Sequence, residues 1–258
     1  MPPNEPDKTP PPRGADAAPT AAPTRLTIGL FAKHWTPGAT KTRLAARLGD
    51  ANAAAVSRLF FEATLQRLST LDAPLALARR LAVTPAEAVA SFESAVAAAP
   101  CDWAVTAQAT GDLGARMRGL FSAVDGPLLL MGSDTPHFPM AAVQQAISRI
   151  ATPAAQRRVA LAPCDDGGYW LVASSGGPPP IFEGMPWSES DLFAATEQRL
   201  LDSGWRLGVD YHRLAKWYDI DEPPDLVRMR RELAAAPALD SALSTLRERL
   251  DELLGPID

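Results

Sequence analysis

Asp134 is the acidic residue whose position points most directly to chemistry. It lies in the segment Gly-Ser-Asp-Thr-Pro at residues 132–136, directly after the apolar residues 127–131. Such an apolar run, ended by a glycine, predicts a buried parallel strand, and open α/β sheets bind ligands at the carboxyl ends of their strands. A carboxylate there suits Mg²⁺ or Mn²⁺, which take oxygen ligands and accompany phosphates. The alternative is an Asp that only caps the following helix.

A basic turn comes earlier in the chain. Lys33 follows a predicted first strand, and Lys41 and Arg43 lie where the next predicted helix begins. Free N–H groups and the positive dipole end at a strand-to-helix turn bind anions, and Gly38 allows close approach of the backbone. These residues predict a site for a nucleotide phosphate, with a solvated basic turn as the alternative. The spacing is neither that of a Walker loop nor that of a dinucleotide fingerprint.

Three further segments carry candidate residues. Asp166, followed by Gly167 and Gly168, is either a general base for an acceptor hydroxyl or a turn residue that binds its own backbone. The two glycines permit a sharp bend or a close approach of a ligand. Asp112 is either a nucleotide contact or the start of an ordinary helix. Trp187, in a loop with Gly and Pro, is either a platform for a sugar or base or a buried structural residue.

The composition limits the class of protein. The chain has 258 residues, of which 47% are hydrophobic, and a net charge of −5 without a basic block. This balance argues against a general nucleic-acid binder, whose affinity depends on neutralising phosphates. The two cysteines, Cys101 and Cys164, cannot by themselves form a metal cluster, and we expect a reduced pair in a cytoplasmic protein. No apolar run approaches the length of a membrane span.

Residues 1–24 differ from the rest of the chain. They are rich in proline and poor in large apolar residues, and they lack the charged and apolar regions of a signal peptide. We expect a disordered tail there, followed by one folded domain at residues 25–258.

Strand and helix patterns alternate from residue 25 onward. Strands are predicted at residues 26–32, 74–80, 103–108, 127–131, 158–162, 169–173 and 217–220, and helices at 41–68 with a break near Gly49, 84–99, 111–124, 139–150, 188–203, 223–235 and 241–254. This alternation predicts an α/β fold with a mostly parallel central sheet covered by helices.

Six segments, taken in order, resemble a bacterial family of GT-A-fold transferases. They are Ala32-Lys33 with Pro37-Gly38 and Lys41-Thr42-Arg43-Leu44; Gly111-Asp112-Leu113-Gly114 with Arg116-Met117; residues 132–136; Asp166-Gly167-Gly168-Tyr169; Pro186-Trp187-Ser188; and Asp219-Ile220-Asp221-Glu222-Pro223-Pro224-Asp225-Leu226. Members of that family carry names such as arsenosugar-biosynthesis or radical-SAM-associated glycosyltransferase. The fold is Rossmann-like, and molybdenum-cofactor and phospholactate nucleotidyltransferases share it.

The resemblance implies a nucleotide-binding half at residues 25–135 and an acceptor half at residues 136–258. It implies that Asp134 and Asp221 hold Mg²⁺ or Mn²⁺, because residues 221–226 match the second metal-binding segment of related nucleotidyltransferases. The implied roles are catalysis by Asp134 and Asp166, nucleotide binding by Lys33, Gly38, Lys41, Arg43, Asp112 and Ser133, and acceptor binding by Gly167, Gly168, Tyr169 and Trp187. Two departures are Trp35, where the family usually has Pro, and a single Asp in place of an Asp-x-Asp pair.

Three functions are compatible with these residues. The first is a metal-dependent glycosyltransferase that takes a sugar nucleotide and a small-molecule acceptor. The second is a nucleotidyltransferase that joins a nucleoside triphosphate to a phosphorylated or acidic acceptor and releases pyrophosphate. The third is a non-catalytic nucleotide-binding protein, against which the two acidic residues and the basic turn argue. Fold likeness alone does not decide among them, and it identifies neither the donor nor the acceptor.

Overall fold

The computed structural model describes residues 25–151 and 157–256, so the tail predicted at residues 1–24 lies outside the described residues. The strands are β1 (Arg25–Lys33), β2 (Ala76–Thr84), β3 (Ala104–Ala107), β4 (Leu128–Gly132), β5 (Val159–Pro163), β6 (Tyr169–Ser174) and β7 (Tyr211–Arg213). The helices are α1 (Thr42–Leu48), α2 (Asp50–Ser69), α3 (Val89–Val96), α4 (Leu113–Ser122), α5 (Met140–Ile150), α6 (Leu192–Asp202), α7 (Pro223–Ala235) and α8 (Ser241–Leu254), with a 3₁₀ turn at Ala86–Ala88.

The described strands form one seven-stranded sheet in the order β3-β2-β1-β4-β6-β5-β7. Strand β6 is antiparallel to its neighbours β4 and β5, whereas every other pair is parallel. This arrangement confirms the predicted α/β fold with a mostly parallel sheet. Strands β1 and β4 lie side by side, with Phe31 opposite Gly132, so their carboxyl ends meet at one edge.

The central strands are buried on both faces, which explains their continuous apolar sequences. In β4, Leu129 and Met131 point into the core beneath α2, α3 and α5, whereas Leu128 and Leu130 point into the core beneath α4. This is the period of two that successive side chains of a strand follow. A third apolar cluster joins α1, α2, α7 and α8 to the residues just before α7. These cores fix the ends of β1 and β4 relative to the start of α7.

Two predicted strands need correction. The strand predicted at residues 217–220 is wrong: the last strand is β7 at Tyr211–Arg213, and Trp217 forms only an isolated bridge with Cys164. The chain leaves the sheet after this bridge, and the backbone N–H of Ile220 donates to the carbonyl of Asp134 at 3.1 Å. Strand β2 continues past the predicted end at Arg80, because Leu81, Ala82 and Val83 remain buried.

Candidate functional site

The candidate site is a cavity at the carboxyl ends of β1 and β4. It has a volume of about 200 Å³ and receives side chains from the β1–α1 turn, the helices α1 and α2, the loop after β4 and the segment before α7. Its lining consists of Lys33, Thr40, Lys41, Thr42, Arg43, Ser57, Ser133, Asp134 and Asp221. Basic and acidic residues that are far apart in the sequence thus face one space, where an open α/β sheet holds its ligand.

Lys41 is the central residue of this cavity. Its Nζ lies 2.7 Å from Asp134 Oδ1 and 2.7 Å from Asp221 Oδ1, and it donates to the carbonyl of Ile220 at 2.7 Å. The side chain is only 4% exposed. Burial alone would lower the pKa of this ammonium group, but the two carboxylates outweigh burial and raise it above its ordinary value. Lys41 is therefore a buried cation held by two acids.

The backbone at Lys41 is also unusual. Its φ of 46° and ψ of 44° place it in the left-handed region, immediately before α1 begins at Thr42. Few residues other than glycine adopt this conformation. The left-handed residue ends the β1–α1 turn, and the Lys41 side chain leaves that turn toward Asp134 and Asp221.

Neither the Asp134 nor the Asp221 carboxylate caps a helix. The N-cap of α5 is Pro139, and no side chain caps that helix, so the alternative role of Asp134 as its cap is wrong. At α7 the capping box is made by Glu222 and Asp225, which leaves the Asp221 carboxylate directed at Lys41. Burial opposes ionisation of Asp221, but the Lys41 ammonium lowers the pKa of this carboxyl. Both carboxylates are partly exposed, 53% for Asp134 and 43% for Asp221.

The remaining cations line the mouth of the cavity. Lys33 is exposed at the end of β1, and Arg43 is 70% exposed on α1, 3.6 Å from Glu222. Gly38 adopts φ +76° in the turn between them, a conformation that glycine tolerates. Ser133 is buried, and its backbone N–H donates to the carbonyl oxygen of Phe31 at 3.1 Å. This hydrogen bond connects the loop after β4 to β1. Of the predicted phosphate-binding residues, Lys33, Lys41, Arg43 and Ser133 share one cavity, whereas Gly38 and Asp112 do not line it.

A second acidic group lies along the same edge of the sheet. Cys164, Asp166 and Asp219 place potential ligand atoms within 4.8 Å of one another. The Cys164 thiol donates to Asp219 at 3.4 Å. Burial, together with the Asp221 and Asp166 carboxylates, raises the pKa of Asp219 to about 6, while burial raises the pKa of the Cys164 thiol. Both cysteines are free, as expected, and this group could hold a metal ion.

The turn at Asp166 has a local structural role. Asp166 Oδ1 accepts from the backbone N–H of Gly168 at 2.8 Å, which is the self-bonded turn that the sequence left as an alternative. Gly167 has φ +91°, and a Cβ there would lie 1.8 Å from the carbonyl of Ser190. The close approach that requires this glycine is therefore made by the chain itself.

Three predicted site residues lie outside the cavity and have structural roles: Asp112, Trp187 and Tyr169. Asp112 caps α4, because its carboxylate accepts from the N–H of Ala115 at 2.8 Å. The Trp187 ring lies against Gly114, where a Cβ would be 2.5 Å from the ring. The Tyr169 hydroxyl is buried, which raises its pKa. The nucleotide role of Asp112 and the acceptor roles of Trp187 and Tyr169 stay predictions.

Some residues of the site were missed in the sequence. Thr40 and Ser57 line the cavity and lie 3.2 Å apart through their hydroxyl oxygens. Neither has a local pattern that distinguishes it from a helix or turn residue. Asp219 had a usable signal, because it lies two residues before Asp221 in the same acidic segment. Trp35 packs against Phe61 and Phe92 instead of shaping the cavity.

Comparisons with known proteins agree with this architecture. The profile of a family described as "Uncharacterized protein conserved in bacteria (DUF2064)" matches residues 64–189. The chain is 28% identical to a provisionally assigned nucleotide-diphospho-sugar transferase from Desulfovibrio desulfuricans G20, over 90% of this chain and 98% of that one, with a TM-score of 0.73. The fold is therefore that of a nucleotide-diphospho-sugar transferase. No protein of curated function matches the chain significantly.

More distant structures extend the comparison. The inositol-1-phosphate CTP transferase of T. maritima is 14% identical over 90% of this chain and 98% of its own, with a TM-score of 0.46. A manganese complex of Rv0371C from Mycobacterium tuberculosis H37Rv is 18% identical over 83% of this chain and 100% of its own, with a TM-score of 0.40. Within the described residues, no helix has the length and apolar character of a membrane span.

Proposed function

We propose that the chain is a glycosyltransferase that takes a sugar nucleotide as donor and uses Mg²⁺ or Mn²⁺. The observation that carries this proposal is the meeting of Asp134 and Asp221 at Lys41, 2.7 Å from each, within one cavity at the ends of β1 and β4. The likeness to the Desulfovibrio desulfuricans protein supports a nucleotide-sugar donor. The sequence resemblance adds arsenosugar biosynthesis, or association with a radical-SAM enzyme, as the setting of the reaction.

The basic and acidic residues of the cavity would bind different parts of the donor complex. Lys33 and Arg43 are exposed cations that would bind the donor phosphates through charge-assisted hydrogen bonds. Asp134 and Asp221 would hold the cation, since their carboxylate oxygens are ligands that Mg²⁺ and Mn²⁺ prefer. The bound cation would offset negative charge on the leaving nucleoside diphosphate. Ser133 and Gly38 would complete the nucleotide side.

The acceptor side would lie toward the second acidic group. Asp219 lies two residues before Asp221, and one of its carboxylate oxygens is within 4.8 Å of one of Asp166. Asp166 is exposed, so its carboxylate is open to an acceptor hydroxyl, and it would remove the proton as transfer proceeds. Gly167, Gly168, Tyr169 and Trp187 are the residues that we assign to the acceptor.

Nucleotidyl transfer is the second candidate, and one observation favours it. Asp221 begins the segment that resembles the second metal-binding motif of related nucleotidyltransferases, and its carboxylate shares the Lys41 ammonium with Asp134. In that reaction the donor is a nucleoside triphosphate and the leaving group is pyrophosphate. The two candidates use the same cation-binding acids and differ in their products.

A two-stage experiment separates the candidates. Sugar nucleotides and nucleoside triphosphates are first screened, with and without Mn²⁺, for a rise in melting temperature, because a ligand that binds only the folded state stabilises it. The stabilising donor is then incubated with sugar, polyol and phosphorylated acceptors. Release of a nucleoside diphosphate supports glycosyl transfer, and release of pyrophosphate supports nucleotidyl transfer. Binding without turnover of any acceptor would favour a non-catalytic nucleotide-binding protein.

A matched pair of variants tests whether the Mn²⁺-dependent rise in melting temperature comes from this cavity. Asp134→Asn removes the carboxylate after β4, whereas Asp125→Asn removes an exposed carboxylate before the same strand, at the opposite edge of the sheet. The proposal requires that only Asp134→Asn abolishes the Mn²⁺-dependent stabilisation. An equal loss in both variants would show that general charge, and not this cavity, is responsible.

A further inference from the structure

The Lys41 ammonium group fills the gap between the two carboxylates that the proposed function assigns to a metal ion. Since Nζ lies 2.7 Å from an oxygen of each, those two oxygens are no farther apart than twice that distance. A divalent cation such as Mg²⁺ holds its oxygen ligands at about 2.1 Å, so an ion shared by the two carboxylates would need them within about 4.2 Å of each other and would take the place between them. The ammonium group and the metal ion therefore compete for one space.

Repulsion strengthens this competition. Lys41 is 4% exposed, so solvent screens its charge poorly, and a second cation bound to the same oxygens would lie in close contact with it. A lysine side chain has a flexible stem of four carbons, which allows its ammonium group to move while the backbone stays in place. Lys41 would therefore leave the carboxylates if a metal ion were bound to them.

The contacts of Lys41 distinguish this arrangement from an ordinary structural ion pair. All three of its 2.7 Å contacts are made to the two segments that flank the cavity, through Asp134, Asp221 and the carbonyl of Ile220. Lys41 itself lines the cavity, next to Lys33 and Arg43. A displaced ammonium group would enter the same space that the donor phosphates occupy.

We infer that Lys41 is an internal counter-cation that keeps the metal site closed until a divalent cation displaces it and frees it to contact the nucleotide. This inference rests on the proposed function, because it takes Asp134 and Asp221 as the metal ligands. It makes Lys41 a positioning residue that couples the two binding events: the lysine would move away from the carboxylates when they hold a cation, and it would then add a positive charge for the phosphates. Without ligand, the same lysine holds the two acids together.

The first test measures Mn²⁺ binding in the absence of nucleotide, by titration calorimetry and by the paramagnetic resonance signal of free Mn²⁺. We expect Lys41→Gln to bind Mn²⁺ at least about tenfold more tightly than the wild type, because the competitor is gone. Arg47→Gln is the matched control, since it removes a positive charge from an exposed position on α1 outside the cavity, and its affinity should change by less than about threefold. Affinity in Lys41→Gln that is equal to or weaker than that of the wild type overturns the inference.

The second test uses the wild-type chain, so it does not depend on how a variant folds. The reactivity of Lys41 toward an amine-acylating reagent is measured by mass spectrometry, with and without Mn²⁺ alone. Displacement from the carboxylates should raise labelling of Lys41 several-fold while that of Lys33 stays constant. Unchanged or reduced labelling of Lys41 at saturating Mn²⁺ contradicts displacement.

The two proposals fail in different ways. If Mn²⁺ binds together with a nucleotide but Lys41→Gln gives no gain, the inference is wrong and the proposed function stands. If the wild type and Lys41→Gln both fail to bind Mn²⁺, even with sugar nucleotides or nucleoside triphosphates present, both proposals are wrong.

Discussion

Arg67 and Asp240 form an ion pair, 2.8 Å between Nε and Oδ2, that connects the end of α2 to the start of α8. The same guanidinium group donates through Nη1 to the carbonyls of Pro136 at 2.9 Å and Phe138 at 2.8 Å. These two residues belong to the loop that follows Asp134. A buried arginine on a distant helix therefore fixes the loop that carries one of the two acids of the candidate site.

Arg67→Met should lower the free energy of unfolding by about 3 kcal/mol, because it leaves two buried carbonyls without a donor and removes an ion pair whose arginine is buried. Urea denaturation followed by circular dichroism measures this change. Arg47→Met, at an exposed position on α1, is the control and should shift stability by less than about 0.5 kcal/mol. A loss in Arg67→Met no larger than in the control would show that the loop is held by other contacts.

Asp134→Asn and Asp221→Asn should each weaken Mn²⁺-dependent nucleotide binding by at least about tenfold, since an amide is a poorer ligand than a carboxylate for a hard cation. Both variants keep the size of the side chain and should remain folded. If the two acids hold one metal ion, the double variant should be little worse than either single variant. Titration calorimetry of all four proteins completes the cycle, and additive losses would mean that the two carboxylates act independently.

Arg43→Ala should weaken nucleotide binding by about 1.5–3 kcal/mol, which is roughly 10- to 150-fold, without changing the melting temperature. The reason is that Arg43 is 70% exposed at the mouth of the cavity and contributes little to packing. Arg47→Ala is the matched control, because it removes an equal charge from the far end of the same helix. Equal nucleotide affinities in the two variants would show that Arg43 is a solvent-exposed residue of α1 that does not contact the nucleotide.

His137→Phe should reduce the loss of stability at acid pH. Burial, together with the charges of Arg67 and Arg228, lowers the pKa of His137 to about 3 in the folded chain, compared with 6.5 in the unfolded chain. The neutral ring therefore contributes stability that is complete above pH 6.5 and is lost as the pH falls toward 3. Between pH 6.5 and 4.5 that loss is about 2 kcal/mol in the wild type.

Urea midpoints at a series of pH values measure this difference between the wild type and His137→Phe. Phe suits the position because the His137 ring packs against Trp217 and Tyr218. Asp219, whose pKa is raised to about 6, acts in the opposite direction over part of this range, but it is present in both proteins and cancels in the comparison. If the urea midpoints of the two proteins changed equally with pH, the prediction would be wrong.

Much of the fold could be predicted from the sequence, because most strands and helices are determined by residues close together in the chain. The apolar run before Gly132 predicted β4 to within one residue, and the predicted helices at residues 223–235 and 241–254 have the bounds of α7 and α8. Both helices begin at acidic or proline-containing start signals that act over only a few residues. The strand predicted at residues 217–220 failed because a short apolar segment does not reveal whether its backbone pairs with a sheet or with a loop.

The site was accessible only in part. Asp134, Asp221, Lys41 and Arg43 were predicted individually, and the structure brings all four to one cavity. The contact of Lys41 with Asp221 spans 180 residues of chain, its contact with Asp134 is also long-range, and no local pattern encodes either. Asp112 illustrates the converse, since its helix-capping role is local and the sequence already offered it as an alternative.

The left-handed backbone of Lys41 restricts which residue types position 41 tolerates. Glycine would suit φ 46° but removes the ammonium group, and asparagine would accept the backbone but leaves two facing carboxylates without a cation. Arginine would keep the charge, yet its planar, larger head does not match a space built for a compact ammonium group. Backbone shape and charge therefore impose independent demands on one residue, so a homologous chain that changes residue 41 should also change Asp134 or Asp221.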